Sequence, residues 1–338
     1  MLWILKATTQ AVLSRVPGGE RLNHRLQRIN GTMDSPAYLE RRIQYGVRFW
    51  QRNADMVHPE GARIMEIGTG WDAIHTILLA ALGAGSITTF DHVPHLRFQQ
   101  SLSAVRSWRT HSDTLSKISG QPAARINARL DEMLRSPDLD SLLKSMRATY
   151  VAPGDICNTN LPSGSLDIVY GYAVLAHLPR PILQSFCGEC RRVLAPGGLS
   201  VQRIGLEDPF NDWKGGDCVD FLRLSPRLWK LLGENSMVYH NRLRGIEHIR
   251  TFEAAGAITL RAQETVRPRD LERVRSMHLA EPFRGFTHEQ LAASELDLIC
   301  QFGRAGTRET ELSLAEPVAR NFGVPSGSNR TSAEPGMR

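Results

Sequence analysis

Apolar residues in the first sixty positions recur every three or four residues, the period of a helix with one buried face. Leu2, Leu5, Val12, Leu13 and Val16 form one stripe before Pro17-Gly18-Gly19 interrupts it; Leu22, Leu26 and Ile29 form a second, beside Arg21, Arg25 and Arg28. Ser35-Pro36, a capping residue followed by proline, opens a third, with Leu39, Ile43, Val47 and Trp50 on one side. From residue 63 the pattern changes. Short apolar runs at 63–67, 86–90, 149–151, 166–170, 199–204, 258–266 and 296–302 alternate with helix-period stretches at 73–82, 95–108, 181–194 and 245–255. Alternation of this kind predicts an α/β fold on a largely parallel sheet. Residues 110–146 are too long for a plain connection and carry Ile126, Leu130, Met133 and Leu134 at helical spacing, which predicts a helical insertion.

The chemistry concentrates where the first of these runs ends. Arg63-Ile64-Met65-Glu66-Ile67-Gly68-Thr69-Gly70-Trp71-Asp72 reads as strand, tight turn and helix start. Gly68 and Gly70 can take backbone conformations closed to other residues and bring N–H groups close to a ligand. The second run ends in Asp91, which a neighbouring strand would hold at its tip, placed to accept hydrogen bonds from a ribose diol. Gly68-x-Gly70-x-x-Ala73 also satisfies the loose dinucleotide pattern, so an NAD-dependent oxidoreductase is one reading. Glu66 favours the other. A carboxylate two residues before the first glycine repels a pyrophosphate and welcomes a cation.

Further along come Asp155 after Pro153-Gly154, Leu161-Pro162, the run Leu166-Asp167-Ile168-Val169, His177-Leu178-Pro179, a helix with two arginines, and Leu194-Ala195-Pro196-Gly197-Gly198. With Glu-x-Gly-x-Gly and the acidic strand end, this succession resembles the class I S-adenosylmethionine (SAM) methyltransferases of the small-molecule type, over roughly residues 60–204. The resemblance implies a Rossmann-like seven-stranded methyltransferase sheet with N-terminal helices and a cap inserted after strand five. SAM is the implied cofactor. Glu66 would lie by its methionine amino group, with Gly68, Thr69 and Gly70 forming the turn. Asp91 would hold the ribose hydroxyls, and His92 would line the same pocket. Asp155 and Ile156 would flank the adenine, with Tyr172 and Ala173 beside it.

An alcohol acceptor also needs a base. His177 follows strand four, where the family's reaction centre opens, although a histidine in this turn also serves to stabilise the loop. Asp208 and Asp212 in the cap are further candidates, with His240 behind them; His75 on the first helix reads as structural. The expected organisation is an N-terminal helical segment at 1–58, a SAM-binding core at 59–204, a cap at 205–256, further core strands at 257–303, and a disordered tail at 304–338 rich in Gly, Ser, Pro, Glu and Arg. Glu281 to Phe286, between the last two strands, is expected near the active-site entrance.

Composition narrows the rest. The 338 residues, 41% hydrophobic, can bury a full core, and the net charge of +6 comes largely from arginines spread along the chain. Nucleic acid binding is therefore permitted but not indicated. No Asn-Pro-Pro-Tyr type motif or Pro-Cys pair marks a base methyltransferase. Five scattered cysteines make a poor disulfide framework and suit a reducing cytoplasm; Cys187-x-x-Cys190 lacks a second pair, and no metal site is expected. The arginine-lined N-terminal helices leave open peripheral membrane contact. The expected activity is O-methylation of a small molecule or glycan. A noncatalytic methyltransferase-like subunit is the remaining alternative, with Trp71 in the turn and no third glycine as its grounds. Acceptor identity and oligomeric state stay undetermined.

Overall fold

The computed structural model describes residues 35–209, 219–235 and 238–303. The expected N-terminal helices before residue 35, Asp212 and the expected disordered tail fall outside them. The described residues belong to one compact unit.

Helix α1 (Pro36–Asn53) starts as its sequence dictates: Ser35 accepts a hydrogen bond from the Tyr38 amide at 3.2 Å, and Pro36 takes the first turn, where no N–H is needed. Its buried side carries Ile43, Val47 and Trp50. There follow β1 (Arg63–Ile67), α2 (Ile74–Ala81), β2 (Ser86–Phe90), α3 (Phe98–Thr110), α4 (Ser112–Ser119), α5 (Ala123–Leu134), α6 (Leu139–Ser145), β3 (Ala148–Val151), β4 (Leu166–Tyr172), α7 (Arg180–Val193) and β5 (Leu194–Gly205). The remainder is α8 (Pro226–Leu232), β6 (Glu234–Asn235), β7 (Val238–Tyr239), α9 (Gly245–Ala254), β8 (Ala257–Val266), α10 (Pro268–Ser276), α11 (His288–Ala292) and β9 (Ala293–Phe302).

Seven strands form one sheet in the order β3-β2-β1-β4-β5-β9-β8. The first five are parallel; β9 runs antiparallel between β5 and β8. This is the expected Rossmann-like sheet. Strand order reverses at β1, which pairs with β2 on one side and β4 on the other, and that reversal opens a ligand crevice at the carboxyl ends of open α/β sheets. Strand alternation divides the core. Ile64, Tyr170 and Val201 pack with α1, α2, α3 and α5, while Met65, Val169 and Leu298 pack with α7 and α9 on the other face. Helices α4 to α6 lie between α3 and β3, seated through Leu115, Leu130 and Leu142.

Three local readings need correction. Helix α3 starts at Phe98 rather than His95, because the stretch after Pro94 lies along the glycine turn: the Arg97 amide donates to Trp71 at 2.9 Å and the His95 ring stacks on Trp71 at 4.5 Å. Strand β5 begins at Leu194, and Pro196-Gly197-Gly198 forms an irregularity within it, where pairing to β4 shifts between Leu166 and Ile168. The cap is also not one stretch of chain. Phe221, Leu222 and Trp229 share an apolar cluster with Val274 of α10, Phe283 and Leu291 of α11, so much of 268–292 belongs to the cap rather than to the core strands. Phe283 is buried in that cluster, 6.4 Å from the Phe221 ring, rather than free at an entrance.

Candidate active site

The turn after β1 is held by the tip of β2. Gly68 and Gly70 have φ of 82° and 69°, in the left-handed region that favours glycine. The Gly68 amide donates to the Phe90 carbonyl at 2.8 Å and the Gly70 amide to Asp91 Oδ2 at 2.9 Å, while the Thr69 and Thr89 hydroxyls meet at 2.6 Å. A Cβ on Gly68 would also stand 2.4 Å from Val174 Cγ2, so the loop after β4 closes onto this turn only because glycine is there. At Gly70 the space is open.

Asp91 is 8% exposed. Its Oδ1 accepts from the Val93 amide at 3.3 Å and lies 3.1 Å from His92 Nδ1. A carboxylate offers about four acceptor positions, and these contacts use at most three, so Oδ2 retains capacity for a ribose hydroxyl. The loop after β3 is tied to the same place by the Gly154 amide, 2.8 Å from the Asp91 carbonyl. On that loop Asp155 is exposed, its Oδ1 accepting from the Cys157 amide at 2.8 Å, and Ile156 is half-buried. His92 is largely exposed beside Asp91. The fixed turn, the acid at the second tip and the loop beside it together fit an adenosine.

Glu66 does not lie open to this crevice. Period-two alternation sends its side chain toward α2, where the Thr76 hydroxyl donates to it, and it is 1% exposed. Burial pushes its carboxyl up to about 7, with smaller contributions from Asp72 and Asp91. The structure thus places Glu66 as a buried acid against α2, two residues before the glycine turn.

At the end of β4, Tyr172 stacks on His75 at 4.1 Å, with the Arg203 guanidinium 5.1 Å from its ring centroid. Burial pushes its hydroxyl up to about 12. His75, held neutral by burial, sits 3.0 Å from the Tyr170 hydroxyl and is the structural residue expected. Ala173 turns the chain with φ of 60°, its amide donating to the Arg203 carbonyl at 2.8 Å. Behind Tyr172 runs a charged network that sequence reasoning missed: Arg203 to Glu295 at 2.7 Å, and Arg52 of α1 to Asp297 at 2.6 Å. Its only sequence signal is the presence of charges inside apolar strands. Arg42 of α1 likewise pairs with Asp72, next to the glycine turn.

His177 is exposed, and its Nδ1 lies 2.8 Å from the Tyr239 carbonyl in the cap. A carbonyl only accepts, so Nδ1 carries a proton, and in the neutral ring Nε2 then keeps its lone pair. Asn241 fastens the same turn: its amide donates to Ala176 at 2.8 Å and its side chain to Leu175 and Leu178 at 2.8 and 3.0 Å. Asp208 is wholly buried. His240 is also buried and neutral, with Nδ1 accepting from the Arg242 amide at 3.1 Å. Asp212 lies outside the described residues. Cys187 and Cys190 are both buried on α7, and among the described residues no group of His, Cys, Asp or Glu is arranged to hold a metal ion. A cavity of about 130 Å³, lined by Trp50, Val57, His58, Leu82 and Gln121, lies at the amino ends of β1 and β2, the opposite end of the sheet from the glycine turn.

Residues 129–201, from α5 through β3 and β4 into β5, match the family model described as a methyltransferase domain. Over these residues the chain carries a methyltransferase domain. That decides between the two cofactors the glycine turn accommodates, and SAM is the cofactor. Among solved structures, this methyltransferase is similar to a SAM-dependent methyltransferase from Mesorhizobium loti (15% identity, 74% of this chain and 95% of that one, TM-score 0.41). It is also similar to a TehB-like SAM-dependent methyltransferase from Corynebacterium glutamicum (12%, 79% and 100%, 0.38) and to a geranyl diphosphate methyltransferase solved with GPP and sinefungin (11%, 76% and 77%, 0.42). No curated protein matches the chain.

Proposed function

We propose that this methyltransferase transfers a methyl group to a hydroxyl oxygen of a small molecule or glycan. SAM supplies a methyl carbon activated by its sulfonium, so that the carbon–sulfur bond breaks as the oxygen–carbon bond forms and S-adenosylhomocysteine leaves. The chain's own task is then to align the hydroxyl, exclude water and take its proton. One observation carries the choice of base. His177 is exposed at the end of the β4 turn, with its proton fixed on Nδ1 by the Tyr239 carbonyl and its Nε2 lone pair available. Of the expected acid–base candidates that are described, Asp208 and His240 are buried, which favours His177. Asp91 and the turn at Gly68 to Gly70 hold the ribose and methionine portions in this reading, and Asp155 and Ile156 the adenine edge.

The test is a radiolabelled methyl-transfer screen against hydroxylated metabolites and glycans, followed by His177→Gln on the best acceptor. The variant is expected to keep its affinity for SAM and lose about 10²- to 10⁴-fold in kcat, the usual range for a general base. Full turnover by the variant would remove His177 from the reaction, and labelling confined to nitrogen or carbon acceptors would remove the O-methylation reading.

A further inference from the structure

Helix α8 turns one side inward and another out. Trp229 and Leu232 are buried in the cap cluster, whereas Leu228 and Leu231 are 42% and 48% exposed. At about 100° per residue, the two leucines share one strip of the helix surface, with Arg227 and Lys230 following around its flank. Arg223, just before the helix, is exposed as well. From Phe221 to Gly233 the chain has three cations and no acidic residue.

A single exposed leucine needs no explanation. Two adjacent ones, bordered by cations with no carboxylate among them, have the arrangement of an interfacial helix. Charge complementarity selects what they meet: the cations call for an anionic surface, and the leucines call for an apolar layer directly beneath its charges. An anionic lipid bilayer has both. We propose that α8 docks the protein on such a bilayer, with Leu228 and Leu231 entering between headgroups and Arg223, Arg227 and Lys230 resting on lipid phosphates. The Trp229 ring is 6.4 Å from His240, whose ring is 5.9 Å from His177, so the docked surface stands two ring contacts behind the turn after β4. Docking stands apart from the methyl-transfer reading; the inference that it brings a membrane-presented acceptor to His177 rests on that reading.

Flotation of the full chain with phosphatidylcholine vesicles, with and without about 30 mol% phosphatidylglycerol, tests the docking without any turnover. Binding to the anionic vesicles, and much less to the neutral ones, is expected. R227Q/K230Q should lower partitioning about 25-fold, taking roughly fivefold for each cation near such a surface. L228S/L231S should lower it by about tenfold as apolar contact is lost. SAM affinity and melting temperature report that each variant is folded, and two independent variants keep the test decisive if one is not. Absence of binding to anionic vesicles overturns the proposal, as does binding unchanged in both variants. Binding to soluble polyglutamate that R227Q/K230Q abolishes and L228S/L231S leaves intact would overturn it in favour of an acidic protein partner.

Discussion

Glutamine in place of Glu66 isolates the thermodynamic consequence of burying that acid. The carboxyl is 1% exposed, accepts from Thr76 and is raised from an ordinary 4.5 to about 7 by burial. A raised acid binds its proton more tightly folded than unfolded, so its contribution is fully present below about pH 4.5 and is lost as pH rises through 7. At ~1.4 kcal/mol per pH unit, the cost at pH 8 relative to pH 4 is about 3 kcal/mol. Glutamine keeps an oxygen for the Thr76 hydroxyl and has no charge to desolvate. Urea unfolding of both proteins without SAM, from pH 4 to 8.5, gives a difference curve from which the other titrating groups cancel. It should swing by about 3 kcal/mol in favour of Glu66→Gln, with most of the change between pH 5 and 7. A flat curve would refute the buried-acid assignment, and a swing toward the wild type would mean that Glu66 is ionised and paired in the folded protein.

Three further outcomes follow from single contacts. Asp91→Asn keeps an oxygen for the Gly70 amide but loses the charge, and should weaken SAM binding about 10- to 100-fold by calorimetry with little change in melting temperature. Gly68→Ala forces a Cβ to a φ of 82° and to within 2.4 Å of Val174; it should destabilise by about 2–4 kcal/mol in urea, and Val174→Ala in the same chain should restore only the steric part. Arg244 is wholly buried and donates to the carbonyls of Leu206 at 2.7 Å and Gln290 at 3.2 Å, and also to Ala293 at 2.5 Å. Arg244→Met orphans these acceptors and should cost about 3 kcal/mol, read as faster proteolysis between β5 and α9.

The sheet was legible because burial in a largely parallel sheet is written locally. Each apolar run from Ile64 to Leu298 needs only its own neighbours to declare it a strand, and Ser35-Pro36 marks a helix start by local hydrogen-bonding demands. What spans the chain was not legible. Leu271 and Val274 stand three residues apart on α10, and nothing near them in the chain says that they meet Phe221. The pair Arg52–Asp297 joins residues 245 positions apart, and nothing near either residue names the other.

The same division runs through the candidate site. Glycines and strand-tip acids betray themselves because the backbone needs them: the turn at Gly68 and Gly70, Asp91, and the loop carrying Gly154 are joined by main-chain donors and acceptors. Direction was harder than position. The motif fixes Glu66 two residues before Gly68, but the pleat of β1 sends it under α2, and only the presence of Thr76 there reveals its partner. At the turn that carries His177 the contacts are made by side chains and carbonyls of the cap, from Asn241 and Tyr239. A cofactor cradle tied through the backbone tolerates changes in cap side chains, so substitutions in the cap should alter acceptor choice and turnover while leaving SAM affinity largely intact.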